Sequence, residues 1–390
     1  PLIAETGGLN AMIVDSTALP EHAVRDIING AFRSAGQRCS ALRCLYVQED
    51  IADNLLRMLK GAMDELHVGD PWHLSTDVGP VIDQQAHKGI ADHIATAQAE
   101  GRIIHQIKAP TAGHFIAPTA IRVAGIQDMT QEIFGPVLHV ATFKASELDD
   151  VSDAINATGY GLTFGLHTRI DDRVQTIVER VQAGNIYVNR DQIGAVVGSQ
   201  PFGGEGLSGT GPKAGGPHYL PRFTAQPAPT TDGSWAGAAD VKALNQRIAE
   251  AKAPIPAQPK DLPGPTGESN RHSTQARGPI LCMGPGAKAA QDQMAIVKKL
   301  GGIAVSTEGD LPAAQLTAIA SLGAVIWWGD DETGRAIEQA LSQRTGPITA
   351  LITGLPDAAH VLHERHVCID TTAAGGNAAL LAEVAGPALT

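Results

Sequence analysis

The sequence predicts an α/β protein, with a largely parallel sheet flanked by helices over residues 1–224 and a smaller, Rossmann-like doubly wound domain over 278–390. Three observations carry this. Short apolar runs of strand length alternate with longer segments whose apolar residues recur at i, i+3 and i+4, the pattern of parallel strands joined by crossover helices. Between 225 and 277 that periodicity gives way to Pro-Ala-Pro, Thr-Thr-Asp-Gly, Pro-Ile-Pro and Pro-Lys-Asp-Leu-Pro-Gly-Pro, the composition of a linker. From 279 the strand–helix alternation resumes.

Taken in order, Pro1-Leu2-Ile3-Ala4 reads as a strand already under way, and the expectation is that a longer polypeptide precedes it. Pro20 suits a first helical turn, and Val24, Ile27, Ile28, Ala31 and Phe32 form one buried face of a helix that ends near Gly36. Residues 42–47 make a strand, and Ile51, Leu55, Leu56, Leu59, Ala62, Met63 and Leu66 a second amphipathic helix. Strands follow at 114–122, 137–143, 162–167 and 185–188, with helices at 84–100, 148–157 and 172–181. The linker holds one helix, at 238–251. Beyond it, strands at 279–283, 302–306, 324–327 and 348–352 alternate with helices at 287–300, 312–322 and 332–341. The tail from about 366 reads as a strand and then a glycine turn at Gly375-Gly376.

With 390 residues, 43% of them apolar, the chain is long enough for two packed domains. A formal charge of -12 and the lack of any basic run argue against a nucleic-acid surface. No apolar stretch approaches the roughly 20 residues that span a bilayer, and the expected location is cytoplasmic. Four scattered cysteines make neither a disulfide framework nor a Cys-x-x-Cys pair, and the histidines, His363 and His366 among them, lack a third ligand at metal-binding spacing. No metal site is expected. Gly284-Pro285-Gly286 lacks the third glycine of a dinucleotide fingerprint and reads as a plain strand-to-helix turn.

The chemistry-bearing pair is Glu5, in Glu5-Thr6-Gly7-Gly8, and Cys39, in Gly36-Gln37-Arg38-Cys39-Ser40. A thiolate attacks an aldehyde carbon, the thiohemiacetal loses hydride to a cofactor, and the thioester needs a base to activate water. Cysteine suits the first step and glutamate the last. An isolated cysteine is ordinarily a small buried residue, which is the reading given to Cys44 inside its strand. One conflict stands: the C-terminal end of the preceding helix disfavours a thiolate at Cys39, so activation has to come from elsewhere.

Two further motifs follow in order, Glu132-Ile133-Phe134-Gly135-Pro136-Val137 and Gln200-Pro201-Phe202-Gly203-Gly204. With the first two they resemble the aldehyde dehydrogenase superfamily. The stretches Ile193-Gly194-Ala195-Val196-Val197-Gly198 and Gly204–Pro217, with Gly209-Thr210-Gly211-Pro212-Lys213 at its centre, resemble its L-glutamate γ-semialdehyde (pyrroline-5-carboxylate) dehydrogenase branch. Thr371-Thr372-Ala373-Ala374-Gly375-Gly376 is similar to the tail of the longer, bifunctional members.

The resemblance implies an aldehyde dehydrogenase catalytic domain whose N-terminal NAD-binding half is missing. It implies Cys39 as nucleophile, Glu5 as the base that delivers water, and Glu132 and Phe134 at the nicotinamide ribose of NAD. Ser40 with the N–H groups of Gly194 and Ala195 would hold the substrate's α-carboxylate, and Phe202 would flank its aliphatic chain. FAD would belong only to a proline dehydrogenase domain upstream, of which this chain would be the covalent continuation, in a homo-oligomer. The alternatives are a catalytically incomplete fragment acting in assembly and an aldehyde dehydrogenase with another substrate.

Overall fold

A computed structural model describes residues 2–224, 227–228 and 231–372. The described residues divide into two compact units, one of 6–200, 261–271 and 366–372, the other of 2–5, 201–260 and 272–365.

The first and larger unit is built on a sheet whose centre is the strand Ala11–Val14, buried on both faces. On one side of it Thr163–His167, Asn185–Val188 and the end of Leu362–Asp370 follow, all parallel. On the other come Cys44–Gln48, Val137–Phe143 and Thr119–Arg122, also parallel, and then Ile103–Gln106, antiparallel. Strand side chains alternate between faces. Met12, Val14, Leu45 and Val47 thus join one core with Ala23, Val24, Ile27, Leu55 and Leu59 of the helices Pro20–Phe32 and Glu49–Asp64. Ala11, Ile13, Cys44 and Tyr46 join the opposite core with Val151, Ile155, Val174 and Ile177 of Leu148–Ala157 and Asp171–Arg180. A parallel sheet covered on both faces is the arrangement that continuous apolar strands require.

The other unit contains a four-stranded parallel sheet in the order Ala304–Ser306, Ile280–Cys282, Ala324–Ile326, Ala350–Ile352. Helices Gly286–Lys299 and Asp331–Ser342 cross between its strands, which makes it the doubly wound domain the sequence predicts. The Gly284 turn is closed from within: Gln293, fully buried, accepts from the Gly284 N–H at 3.0 Å and donates to its carbonyl at 2.7 Å.

Several expectations change. Residues 2–4 form no strand, and Glu5 makes only an isolated bridge with Gly209; the first strand is Ala11–Val14, and Pro1 lies outside the described residues. The strand expected at 114–122 shrinks to Thr119–Arg122, because Pro118 has no N–H to continue a ladder. The helix expected at 312–322 is a 3-10 segment, Ala313–Ala318. Arg344 donates to the carbonyls of Leu316, Ile319 and Ala320, the groups a continuing helix would need. The linker holds its expected helix, Val241–Glu250, but also strands Lys260–Leu262 and Glu268–Ala276. The second of these is Glu-Ser-Asn-Arg-His-Ser-Thr-Gln-Ala, without apolar alternation, and its His272 is buried against Glu364 at 3.0 Å. The glycine turn expected at 375–376 lies outside the described residues. Among the described residues no helix is long and apolar enough to cross a membrane.

Candidate active site

Cys39 follows a left-handed reversal of the chain. After the helix Pro20–Phe32, Ser34, Ala35 and Gly36 adopt φ of 55°, 54° and 64°. That backbone is natural for glycine and strained for the other two, and such outliers concentrate at functional sites. At Gly36 no side chain fits, since a Cβ would stand 2.1 Å from the Gly135 carbonyl oxygen. The turn therefore approaches the Glu132–Gly135 segment backbone to backbone. Cys39 is partly exposed and Ser40 buried.

Two side chains hold the turn in place. Asn10, buried beside the central strand, donates from Nδ2 to the carbonyls of Cys39 at 2.6 Å and Ala41 at 2.9 Å, while its Oδ1 accepts from Thr163 N–H at 3.1 Å. Arg43 is fully buried and uses all of its donors. Nη1 donates to the carbonyls of Gly36 at 2.7 Å and Gly135 at 3.3 Å, and Nη2 to that of Arg38 at 3.1 Å. Nη2 and Nε both reach Glu132 Oε1, at 2.9 and 3.1 Å. Burial lowers the Arg43 pKa and the charge of Glu132 opposes that shift; Arg43 and Cys39 also interact electrostatically.

Glu132 accepts from Gly8 N–H through its other oxygen at 3.1 Å. Gly8 directly, and the cysteine turn through Arg43, are thereby joined to the Glu132 carboxylate of the Glu-Ile-Phe-Gly motif. Phe134 leaves 44% of its surface exposed, with the Arg43 guanidinium 5.1 Å from its ring centroid, while neighbouring Ile133 and Gly135 are buried. An exposed aromatic face beside a carboxylate suits a ligand with a flat ring and hydroxyl donors.

The Gly194–Ala195 segment lies beside the same turn. Gly194 has φ +73°, and Arg38 Nη1 is the nearest atom to where its Cβ would be, at 3.9 Å. Gln192, buried, donates to the Ser40 carbonyl at 3.4 Å, as does Thr163 Oγ1 at 3.2 Å. The larger unit thus brings together Cys39, Ser40, Glu132, Phe134, Gly194 and Ala195. Asn10, Arg43 and Gln192, which hold this arrangement, lie outside the quoted motifs or at their edges, and nothing in their own sequence neighbourhood marked them.

Glu5 and Phe202 belong to the other unit. Glu5 is exposed and lines an open cavity of about 390 Å³ with Ile3, Tyr219 and Phe223. Phe202 is paired reciprocally with Ala214, N–H to carbonyl at 3.0 and 2.7 Å. The turn after it is pinned by Lys213, which is buried, donates from Nζ to the Gly203 carbonyl and has its own N–H on Glu364 Oε2 at 2.8 Å. Burial pushes the Lys213 ammonium down to about 7, against the pull of Glu364. Among the described residues no group of three or more His, Cys, Asp or Glu is placed to hold a metal.

Comparison with known proteins adds the following. A model of the aldehyde dehydrogenase family matches residues 1–227. The bifunctional protein PutA of Salmonella typhimurium is 40% identical over 98% of this chain and 33% of its own length. The 1-pyrroline-5-carboxylate dehydrogenase of Geobacillus kaustophilus is 40% identical over 56% of this chain and 43% of its own. Among solved structures, PutA from Bradyrhizobium japonicum matches with a TM-score of 0.56 and 57% identity, over 57% of this chain and 23% of that one. A Thermus 1-pyrroline-5-carboxylate dehydrogenase with bound NAD matches with a TM-score of 0.53 and 34% identity, over 57% of this chain and 43% of that one. The chain spans about a third of the length of the PutA relatives it matches.

Proposed function

The chain belongs to the aldehyde dehydrogenase family, and we propose that it carries the oxidation of L-glutamate γ-semialdehyde to L-glutamate with NAD, the second step of proline catabolism. The observation that carries this reading is the Arg43 hub, which holds the thiol turn against Glu132 and its exposed neighbour Phe134. Names of relatives support the substrate, since pyrroline-5-carboxylate is the cyclic form of that semialdehyde.

In this reading the Cys39 thiolate adds to the aldehyde carbon and forms a C–S bond. Ser40 and the N–H groups of Gly194 and Ala195 hold the α-carboxylate, and Phe202 packs along the aliphatic chain. Glu132 and Phe134 hold the nicotinamide ribose. NAD, when bound, supplies the two-electron acceptor for the hydride that leaves the thiohemiacetal carbon. Glu5 takes a proton from water, which attacks the resulting thioester; the C–S bond breaks, glutamate leaves and the thiol is restored.

The same reading makes this segment the cytoplasmic continuation of an upstream proline dehydrogenase domain, which would bind the FAD, within a homo-oligomer. The name bifunctional protein PutA and the one-third share of its length support that. The test is NADH formation by the full-length polypeptide. Cys39→Ala is expected to abolish turnover of the semialdehyde while leaving the fold intact. Turnover at the parental rate would overturn the assignment, and equal activity on an aldehyde lacking the α-carboxylate would overturn the substrate.

A further inference from the structure

Residues 191–199, which carry Gly194 and Ala195, leave the sheet after the strand Asn185–Val188 and pass through two left-handed glycines, Gly194 and Gly198, at φ +73° and +84°. Val196 and Val197 are exposed, 49% and 92%. A chain of this length can span roughly 30 Å when extended, so something has to decide how far apart its ends stand.

One carboxylate accepts from both ends. Glu268, in the strand Glu268–Ala276, accepts from Arg190 Nη1 through Oε2 at 2.5 Å and from Gln200 Nε2 through Oε1 at 3.1 Å. Arg190 precedes the loop and Gln200 follows it. Both donors also reach Cys368 Sγ, at 3.3 and 3.5 Å. Burial pushes the Cys368 thiol up to about 12, so it stays neutral. Glu268 is itself steadied by Asn270 Nδ2 at 2.8 Å. From Gln200 the grip continues inward: its Oε1 accepts from Val196 N–H at 3.2 Å, and its N–H donates to the Val196 carbonyl at 2.8 Å.

We propose that Glu268 is a positioning residue for substrate selection: by clasping Arg190 and Gln200 it sets the curvature of the 191–199 loop, and with it the aim of the Gly194 and Ala195 N–H groups at the substrate's α-carboxylate. The inference rests on the substrate reading given above. Glu268 touches neither the thiol nor the reacting carbon. Its removal leaves bond-making unchanged and loosens the hold on one end of the substrate, and small displacements of a positioning group carry large kinetic penalties.

The experiment compares Glu268→Gln with the parent in the full-length polypeptide, using L-glutamate γ-semialdehyde and propanal, an aldehyde without an α-carboxylate. The parent is expected to prefer the semialdehyde strongly, because donors built for a carboxylate reject a ligand that leaves them unpaired. In the variant, KM for the semialdehyde should rise about tenfold with kcat within about twofold, and kcat/KM for propanal should change by less than about twofold. Glu268→Asp, which keeps the charge but is one methylene too short to reach both partners, should fall between. A general loss of stability would depress both substrates together. Equal losses on both, or an unchanged ratio, would overturn the clasp, whereas a parent that does not discriminate would overturn the substrate reading instead. Should Glu268→Gln fail to fold, Gln200→Met, close in volume but without the amide, is read by the same ratio and the same two outcomes.

Discussion

Arg43 Nη2 lies 2.9 Å from Glu132 Oε1 with the guanidinium wholly buried, and that ion pair joins the turn bearing Cys39 to the segment bearing Phe134. Three carbonyls, of Gly36, Arg38 and Gly135, depend on the same group. Replacing Arg43 by Met would take this donor from all three and the counter-charge from Glu132, and breaking a buried pair in this way costs about 3–5 kcal/mol. Urea denaturation should show that loss. Arg43→Lys should recover only part of it, because one ammonium cannot serve four acceptors in a planar fork; full recovery would mean that charge alone matters here.

Among the described glycines, Gly36 leaves a Cβ the least room. Its φ of +64° and the Gly135 carbonyl 2.1 Å from any Cβ make Gly36→Ala push the cysteine turn away from the Glu132 segment. The variant is expected to lose more than about tenfold in kcat/KM, as misplacement near the chemistry does. Ala substitution at Gly61, where a Cβ meets nothing within 4 Å, provides the control and should leave kcat/KM unchanged.

Acid sensitivity should come in part from His139. It stands buried in the strand Val137–Phe143, its Nε2 2.9 Å from His93 Nε2, and burial, then the neighbouring His93, push it from 6.5 down to about 4. Between those values the unfolded chain binds a proton that the folded one refuses. The contribution to stability is therefore complete above pH 6.5, is lost as the pH falls toward 4, and amounts to roughly 3 kcal/mol. Unfolding free energy measured from pH 7 to 4 should fall less steeply in His139→Gln than in the parent. His167, buried and pushed down to about 3 chiefly by burial, is expected to supply part of the remaining slope.

Glu5, exposed at the edge of its open cavity, has access to water, as a hydrolytic base requires. Glu5→Gln should still form the thioester once, so that the full-length enzyme gives a burst of about one NADH per site followed by turnover at least about 100-fold slower. A variant with parental steady-state turnover would remove Glu5 from the mechanism.

Much of this fold was legible because it is written locally. The helix Pro20–Phe32, the parallel alternation and the smaller doubly wound sheet follow from apolar periodicity and from proline and glycine at their ends. The family was legible because four motifs stand in order along the chain, from Glu5-Thr6-Gly7-Gly8 to Gln200-Pro201-Phe202-Gly203-Gly204. The strand Glu268–Ala276 escaped notice because its residues are polar and its partners distant.

By itself the sequence determined the α/β class and the motifs that mark the family. Only tertiary structure decided which side chains hold the site: Asn10 on Cys39, Arg43 on Glu132, Gln192 on Ser40 and Glu268 on both Arg190 and Gln200. Those pairs join residues 29, 89, 152, 78 and 68 positions apart. A buried polar group must find a partner wherever the folded chain presents one, and neither periodicity nor motif spacing specifies a neighbour that distant.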